Sequence, residues 1–117
     1  MTGYKVISTD AVPGLKEVRL YESTIEHVKT EHPEVPVELP SIEIAVGSAI
    51  SNPTHVEKSY GNSVVFVDTE STNATGDPLR LPVKLVGDGT SGRVKTFYFA
   101  ETTGDRELVY RRPDEQD

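Results

Sequence analysis

The chain has 117 residues, a formal net charge of −7 and no cysteine. Its length suits one domain with its own core, and the missing cysteines exclude disulfides, thiolate metal ligands and a cysteine nucleophile. Acid exceeds base in both halves, with nine Asp+Glu against five Lys+Arg in residues 1–58 and ten against seven in residues 59–117. This spread argues against nucleic acid as a partner, because nucleic-acid affinity comes mostly from cationic contacts, and it is typical of proteins adapted to high salt.

Two strands and one helix are predicted in the first third of the chain. Tyr4 to Ser8 reads as an edge strand, and Pro13-Gly14 supplies a tight turn after it. The segment from Leu15 to His32 fits either a strand or an amphipathic helix. We interpret it as a strand over 16–21 and a short helix over 24–31, starting at the capping-box pattern Ser23-Thr-Ile-Glu26.

The next stretch is predicted to be extended. Glu34 to Pro40 alternates valine and leucine with prolines, which favours an edge arm. Ser41 to Val46 alternates apolar and polar residues and predicts a core strand. Gly47 to Gly61 then reads as a long connection, and its length makes it the leading candidate for a functional loop.

The second half predicts a strand, a polar loop and a hairpin. Val64-Val-Phe-Val67 is an apolar run that suits a strand buried on both sides. Asp68 to Asp77 is a polar loop, and Pro78 to Glu101 reads as two strands around the turn Gly87 to Gly92. A second tight turn at 102–105 leads into a last strand over 107–110.

Together these elements predict an all-β protein. We expect about seven strands in an antiparallel β-sandwich, with an immunoglobulin-like arrangement as one form of it, and one short helix. Residues 1–112 would form the single sandwich domain, and residues 113–117 an acidic flexible tail.

The residues that carry chemistry are few. His27 and His32 lie five apart, which splays them on a helix, so neither they nor His55 form the paired ligands of a zinc site. Asp68 to Asp77 has oxygen ligands at alternate positions, as calcium sites do, but without the EF-hand glycine and glutamate. Asn73-Ala-Thr75 is a glycosylation sequon. The serines lack a nucleophile elbow or a matched base. The sequence therefore predicts no enzyme activity, no cofactor and no metal.

One family resemblance rests on His32-Pro-Glu-Val-Pro-Val-Glu38, Ile44-Ala-Val-Gly-Ser48 and Asn52-Pro53. Their order resembles the superoxide reductase family, whose members are immunoglobulin-like iron proteins. The resemblance covers about residues 32–67 and implies an immunoglobulin-like sandwich. It does not extend to the iron chemistry, because that family needs a cysteine ligand.

These observations predict a non-enzymatic structural or interaction protein. We expect an accessory virion component, of the capsid decoration or head–tail joining type and from a halophilic host, that binds neighbouring subunits or copies of itself. The contact residues would be Val35, Val37, Leu39, His55 and Tyr60. The alternative is a ligand- or carbohydrate-binding sandwich that uses Tyr60, His55 and Asn62. No signal segment is visible at the N-terminus and no membrane contact is expected, so the location would be intracellular or within a virion.

Overall fold

The structure is a computed structural model that describes residues 3–101 and 106–113. In these residues it contains eight strands and three helices. Their bounds are β1 Tyr4–Ser8, β2 Glu17–Tyr21, α1 Glu22–Glu31, α2 Glu34–Glu38, α3 Ile42–Ser51, β3 His55–Lys58, β4 Ser63–Thr72, β5 Pro78–Val86, β6 Ser91–Val94, β7 Tyr98–Phe99 and β8 Leu108–Arg111.

All eight strands belong to one open sheet, in the order β1-β2-β6-β5-β4-β3-β8, and β7 pairs with β5. The neighbours run antiparallel except for β2 and β6, which are parallel. This parallel pair joins the N-terminal hairpin of β1 and β2 to the four-stranded meander from β3 to β6. The sheet therefore brings together strands that are more than 70 residues apart in the chain.

The helices cover one face of this sheet, which we call the inner face. Val28, Val35 and Val46, one from each helix, are completely buried and belong to the same core cluster as the apolar strand residues. The strand members of that cluster alternate along each strand and lie on the inner face: Val18, Leu20, Val56, Val64, Phe66, Leu79, Leu81, Val83 and Val94. The opposite, outer face carries the residues between them.

The prediction of a strand-rich chain is confirmed, but the sandwich and its immunoglobulin-like form are not. The described strands all pair within one sheet, and three helices, where one was expected, take the place of a second sheet. The stretches that resemble superoxide reductases lie largely in α2 and α3 and are not strands.

The segment from Glu34 to Val46 is where the sequence interpretation was wrong. The predicted extended arm is helix α2, which tolerates Pro36 because that proline lies in the first turn, where its missing N–H has no intrahelical acceptor. The predicted core strand is the start of α3, and Ser41 caps it by accepting a hydrogen bond from the Ile44 backbone at 3.4 Å. Strand-like alternation and helical spacing coincide over so short a segment.

Two other segments have bounds that differ from the prediction. Helix α1 begins at Glu22, directly after β2. The capping box at Ser23 is not used, since the N-cap is Tyr21, whose side chain does not cap the helix. The long connection from Gly47 to Gly61 is not a loop, because it contains the rest of α3 and all of β3. Only short turns remain of the predicted functional loop.

The first arm of the hairpin, the edge strand and the buried run were predicted correctly, whereas the second arm, predicted as one strand from Arg93 to Glu101, is divided into β6 and β7. β5 and β6 pair antiparallel around a turn in which Gly87 and Gly89 take positive φ. β1 lies at one edge of the sheet, and residues 64–67 of β4 are buried on both faces. The predicted turn at 102–105 and the tail beyond Pro113 lie outside the described residues. Within the described ranges, no helix is long and apolar enough to cross a membrane.

Candidate functional site

Charge is distributed unevenly between the two layers of the fold. Residues 22–51, which contain the three helices, carry six glutamates and one lysine. The outer face of the sheet carries two glutamates, Glu17 and Glu57, and a group of cations that includes Arg19 on β2, Lys84 on β5 and Arg93 on β6. The charge that looks evenly spread along the sequence is therefore separated in space.

Those three cations lie side by side in one cross-strand row. Lys84 is the register partner of Arg93, and Arg93 is the register partner of Arg19. Directly opposed residues on one face lie about 5 Å apart, and like charges in such pairs destabilise a sheet. Within the described residues, neither Lys84 nor Arg93 has a carboxylate within 4.0 Å, while the Arg19 Nε atom lies 3.8 Å from Glu17 Oε2.

Two clefts open along this row. One of about 460 Å³ is lined by Arg19, Tyr21, Asn62, Lys84, Leu85, Val86, Gly87, Ser91, Gly92 and Arg93. The other, of about 380 Å³, is lined by Tyr21, Ser23, Thr24, Arg93, Val94 and Lys95. Because both clefts are bordered by Tyr21 and Arg93, we treat them as one site, the cationic groove, defined by Arg19, Tyr21, Lys84, Arg93 and Lys95.

Arg19 is held at the groove by the tyrosines around it. A side-chain hydrogen bond to Tyr21 raises the pKa of Arg19 above its ordinary value, and the nearby Tyr4 and Glu17 side chains act in the same direction. The guanidinium carbon also lies 5.1 Å from the centre of the Tyr4 ring. The Nε atom is shielded from solvent and has no hydrogen-bond partner in the described part of the chain.

A second charged cluster lies on the outer face around Glu57, a carboxylate that is only 3 % exposed. Arg80 donates two hydrogen bonds to it, at 2.6 and 3.3 Å, and His55 Nε2 lies 3.1 Å from Oε2. Arg106 approaches to 4.0 Å. We call these four residues the Glu57 cluster.

The Arg80 side chain also accounts for the burial of two valines at the centre of the outer face. Arg80 belongs to β5 and its guanidinium binds Glu57 on β3. Because β4 lies between these two strands, the Arg80 side chain must cross β4. Val65 and Val67, which β4 places on that face, are 5 % and 0 % exposed and do not belong to the main core cluster. The aliphatic part of an arginine can cover apolar surface in this way.

The predicted contact residues do not form one surface. Val35 and Leu39 are buried in the core, so their side chains cannot reach a neighbouring subunit. Val37 is 80 % exposed on α2, together with Ile44, which is 73 % exposed on α3. The predicted arm is therefore half core and half surface, as expected for a helix that packs on one side only.

His55 belongs to the Glu57 cluster, and Arg106 of the same cluster lies near the ring of Tyr60. His55 is half-buried against Glu57, while Tyr60 is 86 % exposed and lies 6.0 Å from the Arg106 guanidinium. Asn62, the third residue of the carbohydrate alternative, lines the cationic groove instead. The three residues are thus divided between two sites.

The segment Asp68 to Asp77, predicted as a polar loop, belongs to strand β4 as far as Thr72, and its side-chain oxygens are used within the chain. Asp68 accepts hydrogen bonds from the Glu70 backbone and the Ser71 hydroxyl, at 2.9 and 3.2 Å. The Asn73 side-chain oxygen accepts three more from Thr75 and Asp77, which closes the turn. Among the described residues, no group of three or more His, Asp or Glu is placed to hold a metal ion.

Comparison with known proteins finds no matching family model, no matching curated protein and no matching solved structure. The class that the fold defines is a two-layer protein with an open, mainly antiparallel sheet, helices on one face and a cationic groove on the other.

The residues of the cationic groove were not identified from the sequence. The alternation of the hairpin placed Lys84 on the outward side of its strand, but a single outward lysine indicates only a solvated face. The parallel pairing of β2 with β6 brings Arg19 beside Arg93, and pairing between such distant segments is not encoded in either strand's own pattern.

Proposed function

We propose that this protein binds a phosphate-bearing polyanion in the cationic groove. The observation that carries the proposal is the row of Arg19, Arg93 and Lys84 on three adjacent strands of a chain whose net charge is −7. Such a row costs folding stability in the free protein, and a bound anion would remove that cost. Glu17 is the one carboxylate that the described residues place within 4.0 Å of the row, beside Arg19, and the acidic helices lie on the other face.

This proposal departs from our expectation that nucleic acid, the most common polyanion, is not a partner. That expectation was argued from the even spread of acid along the sequence and stays a prediction. In the folded chain the acid is not evenly spread, because the helical layer carries six glutamates and one lysine whereas Lys84 and Arg93 lie side by side on the sheet.

The test is calorimetric titration of the full chain with inorganic tripolyphosphate at low salt. We expect binding that weakens as salt is added, and at least a tenfold loss of affinity for Arg93→Glu. The matched control is Lys29→Glu, which makes the same change in net charge on helix α1 and should bind as the unaltered protein does. No binding at low salt, or equal losses in both variants, would contradict the proposal.

A second proposal keeps the predicted structural role. Val37 and Ile44 expose apolar side chains on the acidic helical layer, which favours contact with a neighbouring subunit such as a capsid-like scaffold or another copy. An accessory virion component of a halophilic host would have this character, and it would not be an enzyme.

Light scattering after gel filtration, in low and in multimolar salt, tests the second proposal. We expect a discrete trimer or larger ring in high salt, where repulsion between acidic layers is screened. The double change Val37→Ser and Ile44→Ser should return it to a monomer. A monomer of the unaltered chain in both salts would argue against this role.

A further inference from the structure

We infer that the ligand of the cationic groove is a single-stranded nucleic acid, one of whose bases stacks on the tyrosines at the end of the groove. The inference rests on the proposed polyanion binding and names the class of polyanion. The evidence for a nucleic acid is a pair of tyrosines on the outer face, whereas the proposed polyanion binding rests on the cations alone.

The aromatic platform consists of Tyr4 and Tyr21. These residues are register partners on β1 and β2, and their ring centres lie 5.1 Å apart with the planes tilted by 45°. Tyr4 is 49 % exposed, so part of its ring is open to solvent although Arg19 lies over it. Arg19 lies against the Tyr4 ring and in the groove at once, so the aromatic and cationic parts are continuous.

The lining of the larger cleft suits a base as well as a phosphate. Asn62 and Ser91 offer an amide and a hydroxyl, while Leu85 and the half-exposed Val86 add apolar surface. Its volume of about 460 Å³ lies in the range of small-ligand sites. A simple inorganic polyanion would use the cations and leave these groups without a partner.

A duplex would not use the platform, because its bases are paired and stacked within the helix. Open sheets bind single strands by stacking unpaired bases on aromatic side chains while cations contact the backbone. The cationic row and the tyrosine pair lie on the same face of β2, since Arg19 and Tyr21 are two residues apart in one strand. Both contacts are therefore available to one strand of nucleic acid.

The experiment measures fluorescence anisotropy of the full chain with three probes: a labelled twelve-nucleotide oligo-dU, a labelled duplex of the same length, and unlabelled tripolyphosphate as competitor. We expect tighter binding of the single strand than of the duplex. Tyr21→Leu should weaken single-strand binding by about 5- to 150-fold, the range for loss of one stacked base. The same variant should weaken tripolyphosphate binding by a smaller factor than single-strand binding, because tripolyphosphate has no base to stack on the ring.

Matched variants separate stacking from folding. Tyr21→Phe keeps the ring and should bind the single strand nearly as well, while Tyr60→Leu removes an exposed tyrosine outside the groove and should have no effect. Tyr4→Leu, on the edge strand, provides a second platform variant if Tyr21→Leu does not fold.

The outcomes distinguish the two proposals. Equal binding of duplex and single strand, or unchanged single-strand binding in both Tyr21→Leu and Tyr4→Leu, would overturn the stacking inference and leave polyanion binding in place. If the unaltered chain bound none of the three probes, tripolyphosphate included, the proposed function itself would be overturned.

Discussion

At the scale of single residues, Glu57 shows how the fold handles a charge that it has removed from water. A buried carboxylate is costly unless it is paired, and here two hydrogen bonds from Arg80 and a contact with His55 pair it. The exposed pair of Glu70 and Arg112 has a similar shortest distance, 2.8 Å, but solvent screens it.

We expect Glu57→Gln to lower the free energy of unfolding by about 3–5 kcal/mol, because Arg80 would be left buried without its counter-charge. Urea denaturation followed by circular dichroism measures this. Glu70→Gln is the control and should cost less than about 1 kcal/mol. Equal effects of the two substitutions would show that Glu57 does not act as a buried charge.

Asp88 in the β5–β6 turn provides a pH-dependent measurement. The side-chain hydrogen bond from Thr90, joined by one from the Thr90 backbone, lowers the pKa of Asp88 below its ordinary value. A lowered carboxyl pKa contributes stability above the unfolded pKa, and this contribution is lost as the pH falls through the folded pKa.

We therefore expect Thr90→Val to raise the pKa of Asp88 toward its ordinary value, as followed by NMR titration of the carboxyl carbon. Thr75→Val, in the turn before β5, should leave the Asp88 titration unchanged. An unaltered Asp88 pKa in Thr90→Val would show that the hydroxyl is not the main cause.

At the scale of elements, α3 is stabilised by its buried side and tolerates a residue of low helix propensity, Gly47, away from the core. Val46, Ala49 and Ile50 are completely buried, whereas Gly47 lies in the middle of the helix with open space where a Cβ would be. A glycine in a helix interior costs roughly 0.5–1 kcal/mol relative to alanine.

Gly47→Ala should accordingly raise the free energy of unfolding by about 0.5–1 kcal/mol. Gly92→Ala is the contrasting variant, since its Cβ would lie 2.9 Å from a Val83 methyl and 3.3 Å from the Lys84 carbonyl oxygen. We expect that change to destabilise the protein. Denaturation curves of both variants provide the measurement, and a loss of stability in Gly47→Ala would indicate an unrecognised close contact.

At the scale of the whole molecule, the fold separates its charge into an acidic helical layer and a sheet face with a cationic row. The row is unfavourable in the free protein, so removing one of its members should stabilise the chain even while it weakens ligand binding. This opposite response of stability and binding is typical of a functional surface.

We expect Arg93→Ser to stabilise the free protein at low salt by about 0.2–1 kcal/mol, and the gain to shrink as salt is added. Lys29→Ser makes the same change in net charge away from the row and should give no gain, since it removes the partner of Glu26. Thermal unfolding in low and high salt compares them. If Lys29→Ser were stabilised at low salt and Arg93→Ser were not, the cations of the row would not be the source of the repulsion.

The sequence by itself determined the elements whose patterns are local and unambiguous. Strand β5 alternates apolar and polar residues, the turn after it has glycines where positive φ is required, and residues 64–67 are apolar without interruption. These features predict strands because side-chain period and turn chemistry act within a few residues. The absence of disulfides likewise follows from composition alone.

Tertiary structure decided the rest. Ile42, Ile44 and Val46 alternate as a strand would, yet packing of α3 on the inner face selects the helix and leaves Ile44 in solvent. The cationic groove exists only because β2 pairs with β6 across the intervening helices and strands. Net charge and local pattern are properties of the chain, whereas the juxtaposition of Arg19, Arg93 and Lys84 is a property of strand order, which no local pattern encodes.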